Sequence, residues 1–185
     1  MGNVSERRKQ PPQVGVSVVI LALGPVPQSD VGAGAASSGM GSTLWMPLVK
    51  RVRQPFLGQW ALPGGGLRAD HSLEQSAYAA LESTTSLHPK YLEQLYTFGD
   101  PARSHGGLPM VSIVYWALVG EADGRIDFAG GNNVKWFPVN HLPELAFDHR
   151  TIVEYAMNRL RGKIESPDIA TRLVGCLLYT SPSPP

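Results

Sequence analysis

Apolar side chains run almost without a break from residue 13 to residue 23 (QVGVSVVILAL), and their Val and Ile content predicts a central strand. Residues 24–42 (GPVPQSDVGAGAASSGMGS) carry few bulky apolar groups, too few to bury, and read as a flexible hairpin insertion. The chain returns over residues 43–52 (TLWMPLVKRV) as a second strand, in which Pro47 implies an edge or a bulge. Residues 72–86 have the 3.6-residue period of a helix with one buried face: Leu73, Ala77, Ala80, Leu81 and Thr84. Ser72 fits its N-cap, Glu74 and Gln75 lie in the first turn where the helix dipole favours acceptors, and Pro89 stops it. Strands follow at 91–98, 110–119 (MVSIVYWALV) and 134–139; the loop 99–109 between the first two carries Asp100, Arg103, Ser104 and His105. Residues 150–161 predict a last amphipathic helix with Ile152, Val153, Ala156, Met157 and Leu160 inward and Asp148 as its cap. This order of elements predicts an α+β fold or an α/β sandwich.

The 185 residues are 43% hydrophobic and 17% charged, with a net charge of +1, which suits one globular domain with extensions. Near-neutral charge gives no nucleic-acid footprint over the chain as a whole, although a local basic patch stays open. Residues 1–12 are polar and basic (Arg7, Arg8, Lys9) and are expected to be disordered; they lack the apolar stretch and cleavage site of a signal peptide. The apolar run 14–23 is too short to span a bilayer, so a soluble cytoplasmic protein without membrane contact is expected. The single cysteine, Cys176, excludes an intramolecular disulfide and a cysteine zinc cluster.

The chemistry concentrates around WALPGGG, residues 60–66. Gly64 and Gly65 allow close backbone approach in what reads as a tight turn before a helix, a ready site for an anion. Arg51, Arg53 and Arg68 lie near it in sequence; Arg53 and Arg68 have planar forks that match a diphosphate, against the ordinary solvated arginine. Trp60 and Phe56 suit stacking on an adenine and suit core packing equally. Asp100 and Arg103 read as a turn first and an inter-subunit contact second. His71 reads as a solvated residue at a helix start rather than a catalytic base.

The string R-x-R-Q-P-F-x-G-x-W-A-L-P-G-G, residues 51–65, resembles the approach to a Nudix box, and residues 13–163 resemble a Nudix domain. The resemblance implies a Nudix fold: an α/β/α sandwich whose mixed sheet carries the box helix and a long C-terminal helix. The family pattern is G-x5-E-x7-R-E-U-x-E-E-x-G-U, with U a bulky apolar residue. Aligned on Gly65, its first Glu falls on His71, its Arg-Glu pair on Ala79 and Ala80, its Glu-Glu pair on Ser83 and Thr84, and its Gly on Ser86, while Leu81 and Leu87 keep the apolar positions. Positions 80, 83 and 84 share one helix face, where carboxylates would converge on a divalent cation. Alanine offers no ligand, hydroxyls are poor substitutes, and Glu82 lies about 100° around the helix from its neighbours. No catalytic and no metal-binding residue is therefore assigned. The candidate ligand contacts are Arg51, Arg53, Phe56, Trp60, Gly64, Gly65 and Arg68.

Residues 95–117, Trp136-Phe137-Pro138 and residues 142–164 are further similar to the Nudix-related transcriptional regulators of NAD metabolism. That resemblance implies an ADP-ribose sensor, a homodimer helped by an exposed apolar side of 110–119, and DNA binding only through a C-terminal winged helix-turn-helix that is expected to be missing from this chain, which reads as truncated. Residues 164–175 then read as a linker or the start of that domain. Residues 176–185 resemble translated sequencing-adapter sequence and read as a non-native tail, the alternative being a disordered Pro-rich terminus. The functional expectation is a degenerate, cofactor-free Nudix domain binding ADP-ribose or a related nucleotide. One rival is a Mg²⁺-dependent hydrolase with a base outside the box, for instance Glu74, Glu82, Asp100 or an acid in a loop; another is an interaction module with no nucleotide ligand.

Overall fold

The computed structural model describes residues 11–27, 42–89, 92–104, 108–120, 125–131 and 133–165. The expectations for residues 1–10, for most of the 24–42 insertion, for His105 and for residues 166–185 lie outside them. The elements in chain order are strands β1 (Gln13–Pro25), β2 (Ser42–Lys50), β3 (Trp60–Ala61) and β4 (Gly64–Gly66), helix α1 (Leu73–Thr85), strands β5 (Glu93–Phe98), β6 (Met110–Val119) and β7 (Val134–Pro138), and helix α2 (His149–Ile164). One sheet runs β3-β2-β1-β6-β5, with β4 also pairing β1 and β7 also pairing β2. The β1–β6 ladder is parallel, from Gln13↔Met110 to Ala22↔Val119, and the other pairings are antiparallel, so the sheet is mixed.

Alternation along β1 and β6 sorts the core into two layers. Val19, Leu21, Val114 and Trp116 face Ile152, Val153, Ala156 and Leu160 of α2. Val16, Val18, Ile20, Tyr115 and Ala117 face Ala77 and Leu81 of α1. Both faces of β1 and β6 are thus covered, which is the expected α/β/α sandwich. No helix among the described residues is long and apolar enough to cross a membrane.

Several local expectations change. Pro47 is buried inside a strand with neighbours on both sides, not at an edge. The sheet tolerates it because the β1 ladder stops at Ala22↔Trp45, while Pro47 pairs only with Trp136 of β7. β1 continues to Pro25, taking the first residues assigned to the insertion. No residue of the strand 110–119 is exposed: β1 and β5 flank β6 in the sheet, and its two faces pack into the layers under α2 and α1. The predicted Gly turn is also a strand: Gly64, Gly65 and Gly66 pair with Ser17, Val16 and Gly15. A Cβ on Gly64 would lie 2.3 Å from the Val16 carbonyl oxygen, so only glycine allows this approach. Helix α1 starts later, behind a capping box in which the Ser72 hydroxyl accepts from Gln75 N–H (3.1 Å) and the Gln75 side chain accepts from Ser72 N–H (2.8 Å). The glycines therefore do not present a helix N-terminus to an anion.

Candidate functional site

A cleft of about 480 Å³ opens where the start of β1 and the glycines of β4 meet the segment after β2. Lys50, Arg51 and Arg53 line it from the end of β2 and the segment after it, and Arg103, Ser112, Phe147 and His149 from the segment after β5, from β6 and from the start of α2. No aspartate or glutamate is among its lining residues, so the charged groups lining the cleft are cations, set among apolar side chains such as Val49, Val52, Leu62 and Met110. Its volume falls in the range of small-molecule sites.

Arg51 is held by the loop it begins. Its backbone N–H donates to the Gln59 carbonyl (2.9 Å), its Nε donates to the Pro55 carbonyl (2.8 Å), and its guanidinium lies 4.6 Å above the Phe147 ring. Partial burial lowers its pKa from the ordinary arginine value. Among the described residues neither Arg53 nor Lys50 has an ion-pair partner, and both are exposed on the rim. Phe56 and Phe147 both have positive φ, 66° and 55°, an uncommon backbone for bulky residues, and their rings meet edge to face at 4.7 Å.

Arg103 is a structural cation rather than part of an exposed turn. Only 6% exposed, it donates to both Asp148 carboxylate oxygens (2.5 and 3.0 Å), to the Phe98 carbonyl (2.5 Å) and to the Ser112 hydroxyl (3.0 Å). Asp148 consequently makes no side-chain cap for α2; its carboxylate is committed to Arg103. Asp100 keeps the expected turn role, accepting from Ala102 N–H (2.8 Å).

His149, the first residue of α2, is 7% exposed, and its Nδ1 accepts the Leu62 N–H at 2.9 Å. Burial pushes its pKa down to about 4, with Arg103 and Arg51 contributing in the same direction and Asp148 opposing.

Of the seven predicted contacts, Arg51, Arg53, Gly64 and Gly65 come together in the cleft, while Phe56, Trp60 and Arg68 are not among its lining residues. Phe56 stands behind Phe147. Trp60 packs edge to face on Phe137 at 5.1 Å against the α2-side core. Arg68 is exposed and bound to Asp70 through two hydrogen bonds, which hold the Asp70 carboxyl at about 2. Sequence reasoning passed over Ser17, Ser112, Arg103, Phe147 and His149 as cleft residues. The signal available was a polar Phe-Asp-His step entering an apolar helix, which read as a cap.

A family model for the NUDIX domain matches residues 32–156. The chain belongs to the Nudix family. It is 33% identical over 117 residues to a Methanocaldococcus jannaschii protein named ADP-ribose pyrophosphatase, a match covering 62% of this chain and 67% of the relative. It is 30% identical over 120 residues to the ADPR responsive transcriptional repressor NtrR of Acinetobacter baylyi, covering 63% of this chain and 48% of the repressor, so it spans about half that protein's length. The NUDIX domain of Shewanella oneidensis NrtR, solved in complex with ADP ribose, matches with a TM-score of 0.61 at 32% identity, covering 85% of this chain and 94% of that one.

Helix α1 carries Ala80, Ser83 and Thr84 at the aligned box positions. The Ser83 and Thr84 hydroxyls both donate to the Ala80 carbonyl, at 3.1 and 2.6 Å, and are spent within the helix. Among the described residues no group of three or more His, Cys, Asp or Glu could hold a metal. His71, in place of the first box carboxylate, is half-buried, with Nδ1 enclosed and unpartnered rather than solvated.

Proposed function

We propose that this chain is a catalytically degenerate Nudix domain that binds ADP-ribose or a related nucleotide diphosphate and acts as the sensor of a transcriptional regulator of NAD metabolism. The observation that carries the reading is the lining of the cleft, with Lys50, Arg51 and Arg53 and no carboxylate. A site that holds a diphosphate through divalent cations needs acidic ligands, whereas one that holds it through arginines needs none. Ala80, Ser83 and Thr84 supply no such ligands on the box helix. The similarity to a repressor named as ADPR responsive and to a regulator domain solved with ADP ribose supports the same ligand class. In this reading residues 13–163 form the sensor unit, which works in the cytoplasm as a homodimer and reaches DNA through a C-terminal winged helix-turn-helix.

A hydrolase is the second reading, favoured by the 33% identity to a protein named ADP-ribose pyrophosphatase. Neither the named candidate bases Glu74, Glu82 and Asp100 nor any other aspartate or glutamate, a loop acid included, is among the cleft's lining residues. The sensor reading is therefore preferred.

The test is ADP-ribose binding to the wild-type chain and to Arg53→Gln. Arg53 has no side-chain partner among the described residues, so the substitution is expected to weaken binding about tenfold, the scale of one charge-assisted contact, without moving the melting temperature. A wild-type chain that binds no ADP-ribose would overturn the proposal.

A further inference from the structure

Neutral imidazole carries one proton, and the partner of one ring nitrogen decides where it sits. His149 Nδ1 accepts the Leu62 N–H, so the proton must be on Nε2, which becomes a donor. Among the described residues no other hydrogen bond engages the His149 side chain, and Nε2 is not among the enclosed unpartnered atoms, so solvent reaches it. The residue is 93% enclosed and lines the cleft, which leaves the cleft as the way solvent arrives. Arg51 stands close by: the rings of Phe147 and His149 lie 5.4 Å apart, and Arg51 covers Phe147. With Asp148 turned to Arg103, no carboxylate among the lining residues competes for the donor.

We infer that His149 is a ligand-recognition residue, donating its Nε2–H to an anionic oxygen of the diphosphate that enters beside Arg51. This deepens the nucleotide reading above and rests on it for the identity of the ligand. The Leu62 N–H belongs to the chain just before the β4 glycines, so the backbone that shapes the cleft also sets the tautomer of its donor. Burial keeps the ring neutral through the physiological range, so the group offers a directional donor rather than a mobile charge.

The experiment follows the His149 ring nitrogens and the Nε2 proton by NMR in the wild-type chain as ADP-ribose, and separately inorganic pyrophosphate, is added. The expected result is a saturable shift of the Nε2 signals with both probes and an unchanged Nδ1. His149→Asn keeps a short acceptor for Leu62 N–H but lacks reach into the cleft, and its ADP-ribose affinity is expected to fall about tenfold or more. Tight wild-type binding with unmoved Nε2 signals would overturn the inference while leaving the nucleotide reading intact. A shift with ADP-ribose but not with pyrophosphate would overturn the assignment to the diphosphate. A shift with pyrophosphate in a chain that ignores ADP-ribose would support the donor and sink the nucleotide reading, and silence with both probes would sink both. If His149→Asn does not fold, the wild-type spectra decide.

Discussion

Arg103 and Asp148, 45 residues apart in sequence, form a two-point ion pair at 2.5 and 3.0 Å that ties the segment after β5 to the start of α2. Arg103 also bonds Ser112 of β6, so one guanidinium joins three parts of the cleft wall. Removing one partner of a buried pair leaves an uncompensated charge, which costs far more than the pair contributes net. Asp148→Ala is therefore expected to destabilise the chain by about 3 kcal/mol, whereas Arg103→Met combined with Asp148→Leu should recover much of the loss. Urea denaturation of the two variants checks this; equal losses would count against a buried charge as the cause.

Protonation of His149 links stability to acidity. Its folded pKa, about 4, lies below the unfolded value of 6.5, so between those values the unfolded chain holds the extra proton and stability falls as pH falls. Above pH 6.5 the group contributes no slope. Its share of the loss from pH 7.5 to pH 5 is about 2 kcal/mol, by the linkage relation for one group. Denaturation at the two pH values, in wild type and in His149→Asn, is expected to show that component only in wild type.

The glycines of β4 are not equivalent. A Cβ at Gly64 collides with the backbone of β1, and Gly64→Ala is expected to cost a few kcal/mol, or folding itself. At Gly65 a Cβ meets nothing within 4 Å, and Gly65→Ala should stay within about 0.5 kcal/mol of wild type. Melting temperatures of the pair separate the two cases.

Helix α1 begins on a reciprocal cap rather than on packing alone. Ser72→Ala removes the acceptor for Gln75 N–H and is expected to cost about 1 kcal/mol. Far-ultraviolet thermal unfolding measures it, and restoration by Ser72→Asp would identify the cap as the cause.

The sequence carried the layers of this fold because β1 and β6, covered on both faces, stand out as long apolar runs and α1 and α2 are long enough to display their period, and Met110–Val119 matches its predicted range to the residue. It carried the cap of α1 for the same local reason: Ser72 and Gln75 lie one turn apart. Strands β3 and β4 escaped it. Two residues show no alternation, and three glycines have no side chains to alternate. The site divided along similar lines. Arg51, Arg53 and the glycines are neighbours in sequence, but Arg103, Asp148 and His149 take their meaning from contacts such as Leu62 with His149, 87 residues apart. Such a contact leaves no mark on either segment's own pattern.

A nucleotide site that works without metal is tested most directly by calorimetry with ADP-ribose, in Mg²⁺ and in a chelator. One saturating heat of the same size and affinity is expected in both conditions, followed by a flat baseline. A sustained heat seen only with Mg²⁺, the signature of turnover, would contradict it.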